Sequence, residues 1–242
     1  MKPLSVIIPA LNEENYLGAT LQRLAAAAEA LQSSHCCPVQ VIVVDNQSTD
    51  QTASIARGLG AIVVPEHVRN IARARNTGAR VAEGEVLFFL DADTLVPPSV
   101  LTRVTTVMSD PSCVGGAVHV LHRPARALLR LYVGLYEILG RLSGMAQGAA
   151  QFWRREPYFT LGGYDEAMYM GEDVDFYWRM SRAARRAGQK VCYVSDVQVV
   201  PSPRRYDQWP LWKTLWWTNP LLAALRCRHK GTWRGWYEDA PR

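Results

Sequence analysis

The stretch Val86-Leu87-Phe88-Phe89-Leu90-Asp91-Ala92-Asp93-Thr94 (86–94) places two carboxylates directly after five apolar residues. An apolar run of this length, followed by polar turn residues, predicts a strand buried in a parallel sheet. Asp91 and Asp93 would repel each other without a cation. A divalent ion with oxygen ligands, Mg²⁺ or Mn²⁺, would remove that repulsion and bridge to a phosphate. The alternative is a D-x-D turn formed by chance, but its position directly after a hydrophobic strand favours the metal site.

Segments of strand and helix character alternate before this stretch. The other short apolar runs are Leu4–Pro9, Val39–Val44 and Ala61–Val64. Helical composition is found in Glu14–Leu31, Asp50–Leu59 and Asn70–Val81, with Asp50 and Asn70 as expected N-caps. This β-α-β-α-β-α-β order predicts an α/β fold with a mostly parallel central sheet flanked by helices. Ligands bind beyond the carboxyl ends of the strands in such sheets, so the residues that follow each strand are the first candidates for a site.

Three further candidates accompany the carboxylates of the 86–94 stretch. Asp45 follows the second strand, where it can accept a hydrogen bond from a base N–H or simply build the turn. Arg75 and Gly78 lie on the predicted helix that leads into the fourth strand. An arginine can hold phosphate oxygens in a bidentate fashion, and a glycine lets a ligand approach the backbone.

The second half of the chain is less regular. Its predicted strands are Val114–Val120, Gln151–Arg154 and Lys190–Val200, and its predicted helices are Pro124–Leu142 and Gly171–Ala187. The helix at Pro124–Leu142 is amphipathic, with arginines and Glu137 on one stripe and leucines elsewhere. We find no repeat or linker that marks a domain boundary. One compact domain over residues 1–206, with a C-terminal appendage at 207–242, is therefore expected.

Acidic residues open the helix predicted for Gly171–Ala187. Glu172, Asp173 and Asp175 suit the positive end of the helix dipole, so they could be structural only. A general base, however, needs a carboxylate held near an acceptor hydroxyl. On a helix Asp173 and Asp175 lie about 200° apart, so we expect one of them to be functional and the other to be paired or solvated.

The composition is that of a globular protein. The chain has 242 residues, 48% hydrophobic and 20% charged, which excludes disordered, collagen-like and membrane-spanning classes. Its net charge of +5 lies entirely in residues 201–242, which hold eight Lys/Arg, three Asp/Glu and six of the eight tryptophans. The odd number of cysteines, five, without a C-x-x-C pair, and an N-terminal apolar run too short for a signal peptide predict a cytoplasmic protein. Any association with the inner face of the membrane would be peripheral.

Four motifs in this order resemble the family-2 glycosyltransferases, nucleotide-sugar-dependent enzymes of the GT-A fold. They are SVIIPALNEE (5–14), VVDNQSTDQT (43–52), ARARNTGARVAEGEVLFFLDADT (72–94) and LGGYDEAMYMGEDVDFYWRM (161–180). Within that family the chain is similar to the small bacterial members grouped as radical-SAM/selenodomain-associated transferases. The resemblance implies a metal-dependent, inverting transfer of a sugar, usually from a UDP-sugar, to an acceptor hydroxyl. It also implies a nucleotide-binding half at about 1–110 and an acceptor half at about 111–206.

The resemblance also implies a role for each matching residue. Asp45 would contact the base, Arg75 the diphosphate, Asp91 the ribose or the metal, and Asp93 the metal. Asp173 would be the catalytic base. The remaining donor-side residues would be Pro9, Asn12, Glu13, Gly78 and Ala92, and the acceptor-side residues would be Glu172 and Trp178.

The C-terminal part departs from better-known members of the family. It has no membrane helices and no Gln-x-x-Arg-Trp motif, which argues against a processive polysaccharide synthase. Arg204 and Arg205 follow a predicted strand and are candidates for a basic lid over the phosphates, the alternative being a solvated turn. Trp209, Trp212 and Trp216 recur at helical spacing. They predict a helix docked on the core, a surface for an anionic membrane carrying a lipid-linked acceptor, or a platform for a stacked acceptor.

Two other functions compete with the transferase interpretation. A sugar-1-phosphate nucleotidyltransferase also uses an α/β sheet and carboxylate-bound Mg²⁺, but it should show a loop rich in Gly and Lys/Arg after the first strand, and residues 9–16 contain none of these. A non-catalytic, membrane-associated adaptor should have lost its carboxylates, yet they are present. Nucleic acid is not expected as a partner, because no binding motif accompanies the basic tail.

Overall fold

The computed structural model describes residues 4–35, 37–146, 148–219 and 225–233. The strands in these ranges are β1 (Leu4–Ala10), β2 (Val39–Asp45), β3 (Ile62–Pro65), β4 (Val86–Leu90), β5 (Thr94–Leu95), β6 (Cys113–Val120), β7 (Ala150–Arg154) and β8 (Lys190–Pro201). The helices are α1 (Leu17–His35), α2 (Thr52–Gly58), α3 (Ile71–Val81), α4 (Val100–Met108), α5 (Ala127–Ser143), α6 (Arg155–Thr160), α7 (Glu172–Arg186), α8 (Arg204–Gln208) and α9 (Leu211–Trp217).

The strands form one central sheet in the order β3-β2-β1-β4-β7-β6-β8-β5. The first four are parallel, with Ile7 of β1 opposite both Ile42 and Phe89. Strand β7 runs antiparallel between β4 and β6, whereas β6 and β8 are parallel. The predicted α/β fold with a mostly parallel sheet is therefore confirmed, with β7 as the main antiparallel insertion.

Helices cover both faces of the sheet because the side chains of a buried strand alternate between two apolar layers. Val6 and Ile8 of β1 face the layer that contains α1 and α4, and Ile7 faces the layer that contains α3 and α7. The predicted strands and the four longer predicted helices in the described ranges are confirmed within a few residues. Helix α4 and the short elements β5, α6 and α8 were not predicted, whereas α9 contains Trp212 and Trp216 of the helix predicted from the tryptophan spacing.

Of the two predicted helix N-caps, one is confirmed and one is wrong. Asn70 caps α3, since its side chain accepts a hydrogen bond from the Arg73 N–H. Asp50 is not the N-cap of α2, because that position is Gln51. The Asp50 carboxylate nevertheless accepts hydrogen bonds from the N–H and hydroxyl of Thr52, so it still satisfies the first turn of the helix.

The tail does not bury all three tryptophans that were predicted from their helical spacing to face the core. Trp209 is buried before α9 begins, but Trp212 and Trp216 on α9 are 70% and 55% exposed. Trp233 is fully buried, and Trp236 lies outside the described residues. The prediction that Trp212 and Trp216 dock on the core is therefore wrong. Across the described ranges, no helix combines the length and the apolar character needed to cross a membrane.

Candidate active site

A cavity of about 200 Å³ lies at the carboxyl edge of β1 and β4. Because these strands are neighbours and parallel, the residues that follow them leave the sheet side by side. The start of α7 closes one side, and α8 closes another. Predicted site residues that line the cavity are Pro9, Glu13, Arg75, Asp91, Ala92, Asp93, Glu172, Asp173, Arg204 and Arg205.

Arg75 lies buried behind the first carboxylate of the D-x-D segment. Its guanidinium donates to Asp91 Oδ1 at 2.9 Å and forms an ion pair with Glu172. It also lies 5.4 Å above the ring of Tyr164. The side chain is only 2% exposed. Arg75 therefore lines the cavity with its guanidinium already held by two carboxylates of the site, and its contact with a diphosphate stays a prediction.

Arg204 holds the second carboxylate from the opposite end of the chain. Its Nη2 lies 2.6 Å from Glu13 Oε1 and 3.1 Å from Asp93 Oδ2, and its guanidinium stacks 4.3 Å from the ring centre of Tyr16. The side chain is 3% exposed, so the alternative of a solvated basic turn is wrong. Helix α8 thus covers the cavity, as a lid would, but its first arginine already holds two carboxylates.

Asp173 occupies the first turn of α7, which begins after Gly171 in the left-handed conformation, with φ of 76°. Its Oδ2 accepts a hydrogen bond from the Gly148 N–H at 2.5 Å. A Cβ atom at Gly148 would lie 2.6 Å from the Asp173 Cβ, so only glycine permits this approach. Asp175, in contrast, forms an ion pair with Arg179 one turn later, at 2.7 Å. The prediction that one of the two aspartates is paired elsewhere is confirmed.

The site holds more carboxylates than arginines, and this excess shifts several pKa values. Burial, followed by the charge of Asp173, raises the pKa of Glu172 to about 7. Burial is also the main cause that raises the pKa of Asp93 to about 6, although the charge of Arg204 opposes it. Desolvation raises the pKa of Asp173 above the ordinary range of aspartate. A bound cation would relieve the same excess of negative charge.

The residues present fit a divalent cation. Asp91 and Asp93 each use one carboxylate oxygen on an arginine, which leaves each with a second oxygen for a ligand. The described residues contain no group of three or more His, Cys, Asp or Glu side chains placed to hold a metal. Mg²⁺ and Mn²⁺ are commonly held by one or two carboxylates together with substrate phosphates, so a pair of aspartates is sufficient.

Three predicted donor-side residues do not line the cavity. Asn12, with φ of 53°, accepts a hydrogen bond from the Thr49 N–H, and Asp45 accepts one from the Ser48 N–H. Both side chains therefore shape the loops beside the cavity. A Cβ atom at Gly78 would lie 2.4 Å from a methyl group of Ile7, so this glycine permits α3 to pack on β1 and is not an approach for a ligand.

Trp178 also lies outside this cavity. It lines a second, larger cavity of about 740 Å³ between α5, β6 and α7. Tyr136 lines it too, and burial, followed by the charge of Asp173, raises the pKa of Tyr136 to about 12. Tyr136, which lines the larger cavity, therefore lies within electrostatic range of Asp173, which lines the smaller one.

Sequence reasoning missed two residues that organise the site. Asn46 donates to the Val68 carbonyl at 2.7 Å and accepts from the Asn70 N–H at 3.0 Å, so it joins the β2 end to the start of α3. A buried polar residue directly after a strand was a usable signal for it. Gly148 carried no such signal, because its role depends on Asp173, which is 25 residues away.

Comparison with known proteins places these features in a family. The family model described as Glycosyl transferase family 2 matches residues 5–129. An undecaprenyl-phosphate 4-deoxy-4-formamido-L-arabinose transferase of Yersinia enterocolitica is 30% identical over 132 residues, covering 51% of this chain and 38% of that protein. Glycosyltransferase AglE of Haloferax volcanii is 26% identical over 206 residues, covering 80% and 65%. The chain thus spans less than two thirds of these curated relatives.

Solved structures share the fold. The mannosyltransferase PcManGT of Pyrobaculum calidifontis, in complex with GDP-Man and Mn²⁺, has a TM-score of 0.62 and 26% identity, covering 82% of this chain and 56% of that chain. TarS of S. aureus, in complex with UDP-GlcNAc, has a TM-score of 0.63 and 20% identity, covering 83% and 59%. Both likenesses agree with the GT-A arrangement of a central sheet flanked by helices.

Proposed function

Because the chain belongs to glycosyl transferase family 2, we propose that it transfers a sugar from a nucleotide-sugar, a UDP-sugar by preference, to an acceptor hydroxyl with inversion at the anomeric carbon. The observation that carries the proposal is that Asp91, Asp93 and Asp173 line one cavity at the carboxyl edge of the sheet. The donor half would comprise residues 1–110, the acceptor half 111–206 and the appendage 207–242. A finer placement with the radical-SAM/selenodomain-associated transferases rests only on the four motifs.

In this proposal each residue has a chemical task. Asp173 accepts the proton of the acceptor hydroxyl, whose oxygen forms a bond to the anomeric carbon while the bond to the diphosphate breaks. Gly148 holds the Asp173 carboxylate through its N–H. Asp91 and Asp93 would hold Mg²⁺ or Mn²⁺, which supplies positive charge to the leaving diphosphate when bound. Arg75 and Arg204 keep these two aspartates in place.

We assign the acceptor to the side of the larger cavity, where Trp178 is exposed at its wall. Glu172 is buried against Arg75, so we propose that it positions the start of α7 and does not contact the acceptor. A lipid-linked acceptor, met at the inner face of the membrane, is proposed because the Yersinia relative is named as a transferase to undecaprenyl phosphate. No feature of the described residues favours a nucleotidyltransferase or an adaptor.

Donor hydrolysis tests the transferase assignment. The purified protein is expected to release UDP, or GDP, from one sugar of a nucleotide-sugar panel when Mn²⁺ or Mg²⁺ is present, and chelation with EDTA should abolish release. Asp93→Asn removes a proposed metal ligand and should raise the Mn²⁺ concentration for half-maximal activity by more than about tenfold. Asp196→Asn is the matched control, because Asp196 is 58% exposed and pairs with Arg103. Release that is insensitive to EDTA, or no donor binding across the panel by calorimetry, would refute the assignment.

The acid limb of the pH profile reports on Asp173. Only the ionised carboxylate can accept a proton, and desolvation raises the pKa of Asp173. As the pH falls, kcat is therefore expected to decline at a pH above the ordinary aspartate pKa of about 3.9. Asp175→Asn is the control, because Asp175 pairs with Arg179 and its limb should match that of the wild type. The measurement is kcat from pH 4 to pH 9 in both forms; a limb near pH 4 in the wild type would contradict the assignment.

A further inference from the structure

Helix α5 turns an apolar stripe toward solvent. Leu128, Leu131 and Leu135 are 59%, 62% and 53% exposed, and Ile138 and Leu139 are 56% and 61% exposed. Their spacing of three or four residues places them on one side of the helix. Leu129 and Val133, on the opposite side, are buried. The amphipathic helix therefore buries one apolar face and has a second one that the described residues leave exposed.

Helix α9 lies beside α5. Arg126, just before α5, donates to the Trp209 carbonyl at 3.1 Å, and the hydroxyls of Tyr132 and Thr218 are 2.9 Å apart. The two helices thus run side by side in the same direction. Three large apolar side chains of α9 are exposed: Trp212, Leu215 and Trp216. We call the eight exposed side chains of the two helices the α5–α9 face.

The border of the α5–α9 face is basic. Arg123, Arg126 and Arg130 are exposed at the start of α5, and Lys213 lies on α9. Two acidic residues accompany these four cations: Glu137 on α5 and Asp207, whose carboxylate accepts a hydrogen bond from the Ala125 N–H. A large apolar patch bordered by cations suits a surface that is apolar inside and negatively charged at its boundary.

We propose that the α5–α9 face docks on the surface of an anionic phospholipid bilayer. The leucines and tryptophans would enter the boundary between headgroups and acyl chains, and the arginines would face the phosphates. A second copy of this chain fits less well, because a two-fold contact through this face would bring the same cations together. The α5 residues Tyr136 and Gly140, which line the larger cavity, lie on the other side of the helix, so this cavity would lie behind the docked face.

Docking on a membrane would bring the site to a lipid-linked acceptor, so the purpose of the docking rests on the acceptor proposed above. Vesicle flotation tests it without donor, acceptor or turnover, so a failure to dock is distinct from a failure to transfer sugar. The full chain is expected to float with vesicles of equal parts phosphatidylglycerol and phosphatidylcholine, and not with phosphatidylcholine alone. High salt should weaken the binding, because part of the attraction is electrostatic.

Paired variants locate the surface. Leu131→Gln with Leu135→Gln on α5, and Trp212→Ser with Trp216→Ser on α9, should each lower vesicle binding by more than about tenfold. Leu59→Gln with Ile62→Gln is the matched control, because these residues are 45% and 48% exposed outside the face. The control pair should bind like the wild type. All three pairs alter exposed side chains, and two independent pairs probe the face, so loss of one variant to misfolding leaves the test intact.

Three results would overturn the proposal. The first is a wild-type protein that ignores the anionic vesicles. The second is vesicle binding equal to that of the wild type in both the α5 double variant and the α9 double variant. The third is a wild-type protein that is a dimer in analytical ultracentrifugation, together with an α5 variant that is a monomer and still binds vesicles. That result would assign the face to a second copy of the chain.

Discussion

Asp173→Asn is expected to lower kcat by about 10²–10⁴-fold while leaving donor affinity nearly unchanged, because removing a general base affects the proton transfer rather than the binding of the nucleotide. The substitution changes little in shape, and the amide oxygen of asparagine can still accept the hydrogen bond from the Gly148 N–H. Steady-state kinetics at saturating donor, together with calorimetric titration of the donor, separates the two effects.

Asp175→Asn is the matched control for this prediction. It lies on the same helix, two residues away, but its carboxylate pairs with Arg179 at 2.7 Å and does not line the cavity. Its kcat should stay close to that of the wild type. Retained turnover in Asp173→Asn, or an equal loss in both variants, would remove Asp173 from the role of base.

Arg75→Met is expected to destabilise the protein by about 3–5 kcal/mol, because removing one partner of a buried ion pair leaves its carboxylates uncompensated. Arg75 faces Asp91 and Glu172, and Glu172 is 5% exposed, so water cannot replace the lost guanidinium there. Methionine keeps much of the length of the side chain, which limits the contribution of a cavity. The measurement is urea unfolding, with the free energy of unfolding taken from the midpoint and slope.

Arg80→Met provides the control on the same helix. Arg80 is 53% exposed and lies 3.4 Å from Glu166, so the loss of this surface pair should cost less than about 1 kcal/mol. Adding Glu172→Gln to Arg75→Met should restore part of the stability, because it removes one of the stranded charges.

The pH dependence of this loss follows from Glu172. The pKa of Glu172 in the folded protein, about 7, is above its unfolded value, so the group favours the folded state at low pH and this contribution is lost as the pH rises through 7. Without Arg75 the raised pKa rises further. The destabilisation should therefore be smaller at pH 5 than at pH 8, and an equal loss at both would contradict the uncompensated charge as its cause.

The sequence was sufficient to predict the sheet and the carboxyl edge where the site lies. Strand β4 matches the predicted run Val86–Leu90, because a strand buried on both faces has a continuous apolar sequence that few other elements share. The carboxylates Asp91 and Asp93 directly follow this strand, so their position could be predicted together with it. The sequence narrowed the catalytic base to Asp173 or Asp175, because two residues about 200° apart on a helix cannot both face one cavity.

What could not be predicted depends on partners far away in the chain. Arg75 was expected to face a ligand, but its carboxylate partner Glu172 is 97 residues away. Helical periodicity identified an amphipathic α5, yet it does not say whether a second apolar stripe is covered. Leu131 and Leu135 are exposed because the buried side of that helix is the one that carries Leu129 and Val133. Gly78 was assigned to a ligand because a sequence does not reveal which side of a helix faces a strand.

The ion pair between Glu13 and Arg204 joins residues 191 positions apart, and this separation has a consequence for how the molecule is assembled. During synthesis the first four strands can pair while the last forty residues are still to be made. Until then Glu13 and Asp93 have no arginine between them, and closing so long a loop is entropically costly. The cavity would therefore be among the last parts of the molecule to take shape, and a ribosome-bound chain that stops before residue 204 would carry an open, acidic edge.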